Sequence, residues 1–531
     1  MDWAKAEFGR EQLVLFPTRL DEAIAPQHRV RLLDEILTRL DWSAWEAQYD
    51  LRRGQPPIHP RILAGVILYG LLVRIRASRA LEEALQVRLD FRWLAEGRSI
   101  DHTTLSEFRR KNAEALKSTF VQIALVAREI GCLPLQTLAF DGTRIRANNR
   151  RRGTRTPAEL REMRAELAQK FTELEAAAAA ADLSDDERLG EHSAHTLAAE
   201  LADVERRTQQ VDAALAELER IERSAQAPPK RLPLTDPQSR VMPNKEGGYA
   251  PNFTPTAMVD VDSGMIVAAD VLNTVNEDKQ LVPSVEQVQQ DFGQEKPSPT
   301  VLADGLMATG ENLADCEQAG VELFSPIKNQ AVDNNPAVRD DPTQPVAAAD
   351  RDRLPTKSTT RQGVASQQLD KQAFVYDEDE DCYWCPQGKR LPHRSETTET
   401  RNGVQRIRHR YQAAAQDCAD CPLKSLCLQG QATPRTIHRE QHESRREAHA
   451  AKMSTAEAQQ TYARRRHPGE RPFAVIKQKF GVRQFLLRGL EPVRQEWTWL
   501  ATAFNLDRLL NLIPARAGPF TQSQTAPVHP P

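Results

Sequence analysis

QTLAFDGTRI, residues 136–145, is a short apolar run that ends in an acid followed by glycine. Leu138 and Phe140 alternate as in a strand, and Asp141 closes it. TVLADG (300–305) repeats the pattern with Asp304. A carboxylate at the end of a central strand projects from the sheet edge, where open α/β folds place their sites. The surrounding elements fit that reading. PTAMVDV and MIVAADVL, within 254–274, flank Asp262-Ser263-Gly264, a hairpin-turn signal. A helix with Leu281, Val282, Val285 and Val288 on one face follows. ENLADCEQAG (311–320) predicts a helix ended by Gly320, and VELFSPI (321–327) another strand. This succession is an α/β pattern with mixed strand directions. Asp260 and Asp262 lie on the hairpin and its turn, and we read both as structural.

A third acid stands out by its surroundings. TYARRRHPGERPFAVIKQKFGVRQFLLRGL (461–490) holds eight Lys or Arg and one acid, Glu470. Phe473, Ile476 and Phe480 at helical spacing predict a helix with an apolar face. A lone carboxylate there fits a metal ligand beside a phosphate backbone; the alternative is an internal partner for the arginines. A second basic cluster follows Asp141: Arg144, Arg146, Arg150, Arg151, Arg152 and Arg155, with no acid among them. Such side chains neutralise phosphates and release counterions, so both clusters are candidate nucleic-acid contacts.

The first 130 residues read as helical. Val30, Leu33, Ile36, Leu37 and Leu40 recur at helical spacing, and ILAGVILYGLLV (62–73) is apolar on every face. Thr104 and Glu107 fit a capping box opening a helix that carries Arg109, Arg110 and Lys111. Either a helix-turn-helix DNA reader or a bundle with a solvated basic face fits. Leu160, Met163, Leu167, Phe171 and Leu174, then Leu197, Leu201, Val204, Val211, Leu215 and Leu218, predict an inserted antiparallel hairpin of helices with its turn at 183–193. That insert is an arm or a spacer. Residues from 329 to about 430 are polar and hold most of the cysteines.

The chain of 531 residues is 40% hydrophobic and 27% charged, with net charge −3, an ordinary composition for a soluble protein of several folding units. No run approaches the roughly 20 apolar residues of a membrane helix. The start, MDWAKAEFGREQLVLF, lacks the basic and apolar regions of a signal peptide. Of seven cysteines, five fall between Cys382 and Cys427, in the order Cys382-x2-Cys385, then Cys418-x2-Cys421-x5-Cys427. Paired CxxC spacing in a reducing compartment predicts one structural Zn²⁺ with four thiolates, leaving one cysteine spare.

Asp141, Asp304 and Glu470, with Tyr462, Arg465 or Arg466, and Lys477 around the glutamate, resemble the DDE transposases of bacterial insertion sequences, in the group with a Tyr-Arg-Glu-Lys signature. Arg464 also competes for the arginine position. GQPPIHPRILAGVILYG and IDHTTLSEFRRKN resemble the helical DNA-binding domain of these enzymes. The resemblance implies a ribonuclease-H-like α/β core with an all-helical N-terminal domain, an inserted helical hairpin and a Cys-rich insertion. The expected units are 1–130 (DNA-binding), 131–156, 231–330 and 436–512 (core), 157–230 (hairpin), 331–435 (Cys-rich) and a disordered tail, 513–531.

It further implies two Mg²⁺, with Mn²⁺ as a substitute, held by Asp141, Asp304 and Glu470 for cleavage of DNA strands and their transfer to a target. Lys477 would contact the terminal phosphate and Tyr462 the DNA end. CPQGKRL and CADCPLKSLC resemble the family's cysteine segments, which favours Cys385, Cys418, Cys421 and Cys427 for zinc, with Cys382 extra. The implied partner is double-stranded DNA, bound by a homodimer in the bacterial cytoplasm at the nucleoid. A nuclease of the same core, cutting without joining, and a domesticated DNA-binding protein are the alternatives. A fragment 1–130 is expected to bind the element's ends by itself.

Overall fold

A computed structural model of the chain describes residues 19–516, apart from 50–55, 150–152, 184–190, 225–228, 245–246, 294–299, 328–333, 362–363, 402–403 and 429–433. Its centre is a mixed sheet of β1 (Thr137–Gly142), β2 (Tyr249–Asp260), β3 (Ile266–Leu272), β4 (Thr300–Leu302) and β5 (Glu322–Phe324), in the order β3-β2-β1-β4-β5. The first three strands are antiparallel neighbours, whereas β4 and β5 run parallel to β1. Short strands at 145–146 and 240–243 extend it along β2. Leu138, Ala139 and Phe140 are all buried, as a strand covered on both faces requires. The β2–β3 turn falls at Asp262-Ser263-Gly264, with Gly264 at φ +68°. Asp260 is fully buried and accepts from the amides of Leu135 and Ser263, a structural role as read from sequence.

The N-terminal helices include α1 (Arg29–Thr38), α2 (Pro60–Leu72), α3 (Ser78–Val87), α4 (His102–Arg110) and α5 (Ala113–Glu129). The cap of α4 is Asp101, whose carboxylate accepts from the Thr103 amide, so the helix starts two residues before the Thr104–Glu107 box. Asp is among the strongest N-caps, and it wins over the threonine. These helices share a core with later parts of the chain. One hydrophobic cluster runs from Val30 and Leu33 through α2 and α5 to β1 and to the last helix, α12 (Leu490–Arg516). Trp45 stacks on Phe108 at 4.6 Å, and Trp499 packs against both at 6.1 Å. A boundary at residue 130 therefore cuts through a core. The expected unit 1–130 packs its helices against residues 490–516 in that cluster.

Glu496, on α12, ties the two parts together. It is buried, accepts from the Leu486 and Leu487 amides at 2.9–3.0 Å, and pairs with Arg76 at 2.9 Å. Removing one member of a buried, hydrogen-bonded pair costs about 3–5 kcal/mol. Glu496→Ala should lower unfolding free energy by that order in a denaturant titration. A loss under about 1 kcal/mol, as for an exposed pair, would remove this role.

The inserted helices are α6 (Pro157–Leu183) and α7 (Glu191–Arg223). They pack antiparallel through Leu160 with Leu218, and Leu167 and Leu174 with Val204 and Val211. Of their predicted turn, 183–193, residue 183 ends α6 and 191–193 open α7, while 184–190 lie outside the described residues. Helices α8 (Leu281–Phe292) and α9 (Gly310–Ala319) link β3 to β4 and β4 to β5, and Gly320 caps α9 at φ +68°.

The Cys-rich segment departs most from expectation. It holds an antiparallel sheet of β6 (Val375–Asp377), β7 (Cys382–Trp384), β8 (Arg390–Arg401), β9 (Val404–Gln412) and β10 (Thr436–Glu440). Leu369, Phe374, Tyr383, Leu391, Tyr411 and Ile437 are among the residues that give it a small core. Helices α10 (Glu443–Ser454) and α11 (Ala456–Ala463) return the chain to the central sheet. The helix predicted around Phe473 is a short α turn, Arg471–Ala474, continued by a π-helical turn, Val475–Lys479. Of the tail, 513–516 finish α12, and 517–531 lie outside the described residues. Among the described residues, no helix is long and apolar enough to cross a membrane.

Candidate active site and cysteine centre

The parallel pairing of β1 and β4 aligns Ala139 with Leu302. Asp141 and Asp304 each lie two residues further on, so both acids leave the carboxyl ends of adjacent parallel strands in register. Neighbouring strands are about 4.8 Å apart. Both side chains are half-buried. One Asp141 oxygen accepts from the Gly142 amide at 2.9 Å, and one Asp304 oxygen from the Leu306 amide at 2.8 Å.

Three members of the basic segment converge on these strand ends. Arg465 Nη2 lies 3.3 Å from Asp141 Oδ2, with its side chain 13% exposed. Tyr462 is close to the same groups. Burial pushes its phenol above the ordinary range, the Arg465 guanidinium opposes that, and the Asp304 and Asp141 carboxylates add to it. Lys477 Nζ donates to Thr143 Oγ1 at 2.5 Å, two residues past Asp141. Thr143, in the Asp-Gly-Thr turn, escaped the sequence reading, although its place beside Asp141 was a signal. The three candidate arginines differ in their partners. Arg464 pairs with Asp262 at 2.7 Å and donates to Thr137 Oγ1, Arg466 is exposed, and Arg465 alone of the three pairs with Asp141.

Glu470 is exposed and opens the turn Arg471–Ala474. It lies between two anchors, five residues after Arg465 and seven before Lys477, both held at the end of β1. Among the described residues, only Glu82, Asp101 and His102 bring three donor atoms all within 4.8 Å of one another. The three acids read from sequence do not form so tight a group. The other acids of this region are engaged elsewhere: Glu491 pairs with Arg494 at 2.6 Å, and Glu496 is buried as described.

The basic residues divide. Arg110 and Lys111 are exposed at the end of α4, Lys111 pairing with Glu107 at 2.8 Å. Arg109 is a correction. It is 7% exposed, donates to the Arg76 carbonyl at 2.7 Å, and burial lowers its pKa to about 10. It faces inward because Leu105, Phe108 and Arg109 share the buried face of α4. Arg144 donates to the Val275 carbonyl at 3.3 Å, and Arg146 is half-buried on its short strand. Arg150 lies outside the described residues.

Cys385, Cys418, Cys421 and Cys427 line one small cavity beside Leu369 and Leu423. Cys385 Sγ accepts from the Gln387 and Lys389 amides, each at 3.3 Å. Burial raises the Cys385 thiol and pushes Cys427 up to about 12. Cys382 is buried in β7 with Arg390 and Asp377 as its charged neighbours. Cys382 is not among the residues lining that cavity, and no three of the four thiols that line it bring their Sγ atoms all within 4.8 Å of one another.

Two stretches match known families. Residues 384–510 match a transposase DDE domain, and residues 18–111 match a transposase domain designated DUF772. The first covers the cysteine sheet from the end of β7 onward, the Tyr462–Lys477 segment and most of α12. The second covers the helices up to the end of α4. Enzymes with a DDE domain cleave DNA and use divalent metal ions. No curated protein matches the sequence.

Proposed function

We propose that this chain, a DDE transposase of insertion sequences, cuts DNA strands at the ends of its element and joins those ends to a target through Asp141, Asp304 and Glu470. The carrying observation is the register of β1 and β4, which delivers two acids to one sheet edge with Arg465 against the first. The order β3-β2-β1-β4-β5, with three antiparallel strands followed by two parallel ones, supports a ribonuclease-H-like core.

The donor set is all carboxylate oxygen, which suits Mg²⁺, with Mn²⁺ as substitute. Bound there, such ions activate the attacking oxygen and stabilise the leaving one. The chain's own groups do the rest. Asp141 and Asp304 hold fixed orientations through the Gly142 and Leu306 amides. The Arg465 guanidinium marks where positive charge is favoured beside Asp141, and it is placed to pair with a DNA phosphate. Lys477, anchored on Thr143, binds the terminal phosphate, and Tyr462 contacts the DNA end. Glu470 is the third acid, carried to the strand ends by the anchors on either side.

Arg144 and Arg146 on the β1 side, Arg150 further along the same basic run of the sequence, Arg466 on the other side, and Arg110 and Lys111 on α4 supply backbone contacts along duplex DNA. The protein works in the bacterial cytoplasm at the nucleoid, as a homodimer on its paired ends. Cys385, Cys418, Cys421 and Cys427 hold one structural Zn²⁺, because four thiolates leave no position for water.

The test is incubation of the full chain with a plasmid carrying the element's ends, with Mg²⁺ or EDTA, and separation of cleaved from joined products. Metal-dependent cleavage and joining are expected. Cleavage without joining would make the protein a nuclease, and end binding without either would make it a DNA-binding protein only.

A further inference from the structure

Helix α2 ends in a turn that glycine most often completes. The Ile75 amide donates to the Gly70 carbonyl at 2.7 Å and the Arg74 amide to the Leu71 carbonyl at 3.3 Å, the paired bonds of a Schellman helix end, which needs one residue in the left-handed region. That residue is Arg74, at φ +67°. Glycine takes this conformation without the steric penalty of a Cβ, so an arginine here calls for a reason. Its side chain supplies one. Arg74 Nε donates to the Lys479 carbonyl at 2.5 Å, and Nη2 to the Gln478 carbonyl at 2.6 Å. These carbonyls close the π-helical turn Val475–Lys479, and the last carbonyls of a helical segment have no partner within it.

The same turn carries Lys477, whose Nζ reaches Thr143 at the end of β1. Its bonds close five residues back, as from the Phe480 amide to the Val475 carbonyl at 3.1 Å; such turns are rare and recur at functional sites. One residue of slippage on an α-helix turns a side chain by about 100°. Relaxation of this turn would therefore swing Lys477 off Thr143. Asp507 holds the Lys479 side chain at 2.6 Å, and Arg74 holds the backbone. The α2–α3 loop that presents Arg74 is itself fixed. Two residues on, Arg76 donates to the Gln484 carbonyl at 2.9 Å, and the Arg76 carbonyl accepts from Arg109 on α4 at 2.7 Å.

We infer that Arg74 is a positioning residue for cleavage: it locks the π-helical turn and so keeps Lys477 where it meets the terminal phosphate. This rests on the reading of Lys477 as a phosphate contact at the cleavage site. Arg74 is exposed, so water replaces its donors when it is removed and no buried charge is left behind. Its left-handed backbone suits glycine. Arg74→Gly therefore deletes the guanidinium while leaving the turn at least as stable, and activity is read apart from folding.

The experiment compares the full-length wild type, Arg74→Gly, Lys477→Ala and the double variant in single-turnover cleavage of a duplex carrying the element's end, with Mg²⁺, followed long enough to measure a thousandfold loss. End affinity by fluorescence anisotropy in EDTA and melting temperature are measured beside it. A group displaced by about 1 Å costs up to about 10²-fold in rate, so Arg74→Gly should cleave about 10- to 100-fold more slowly, with end affinity unchanged and melting temperature no lower. Because Arg74 acts through Lys477, adding Arg74→Gly to Lys477→Ala should lower the rate no further. Undiminished cleavage by Arg74→Gly, a loss of end affinity or melting temperature that accounts for its slower rate, or losses that multiply in the double variant would overturn the inference and leave the transposase reading standing. Undiminished cleavage by Lys477→Ala would overturn the phosphate contact on which it rests. Absence of metal-dependent cleavage by the folded wild type would overturn the reading of the site as a whole.

Discussion

Asp141→Ala and Asp304→Ala should each lower cleavage at the element's ends by about 10³-fold or more, because a charge-stabilising group at the reacting centre is worth at least that order. End binding should change little, since arginine and lysine contacts to phosphates dominate affinity. Both acids end their strands half-buried and partnered by a backbone amide, so the fold should tolerate alanine. Melting temperature measured beside cleavage separates the two effects. Glu470→Ala is expected to behave the same way, with a smaller structural effect because the residue is exposed. Full activity in that variant would sink the assignment of the third acid. Glu496 could not take its place, being committed to the Leu486 and Leu487 amides and to Arg76.

The second large effect concerns the cysteines. Protein purified without chelator should carry one zinc per chain by elemental analysis. Cys421→Ser should lose it, and Cys382→Ser should keep it, since only the first lines the shared cavity. Structural zinc contributes about 10–16 kcal/mol in isolated zinc-finger peptides. The effect here should be smaller, because Leu369, Tyr383, Leu391 and Tyr411 already give the sheet a core. Chelation should nevertheless lower the melting temperature of the wild type and not that of Cys421→Ser. Zinc-free protein, or a metal lost with Cys382→Ser alone, would refute the assignment.

The strand-end places of Asp141 and Asp304 were legible because each follows three apolar residues, and a strand that ends in a carboxylate leaves a local signature. The four cysteines that spacing and resemblance favoured line one cavity, although their Sγ atoms do not cluster as tightly as the ligands of a bound ion. The cysteine sheet was not legible. Its long strands β8 and β9 read RLPHRSETTETR and VQRIRHRYQ, with few apolar residues to alternate, because much of the hairpin is solvated. Arg109 was misread because its charge drew attention away from its place, one and four residues after Phe108 and Leu105 on the buried face. The union of the N-terminal helices with α12 has no local signal at all. It joins parts separated by nearly the whole chain, and only packing reveals it.

That union has a consequence for synthesis. Helix α5 emerges early, and the partner that covers it, α12, is made near the end of this sequence. At bacterial elongation rates of about 5–20 residues per second, the interval is roughly 20–80 s. Throughout it, the apolar faces of α2 and α5 wait without their cover, exposed to chaperones and proteases. A chain broken off before Leu490 therefore leaves the faces of α2 and α5 that α12 covers open to solvent.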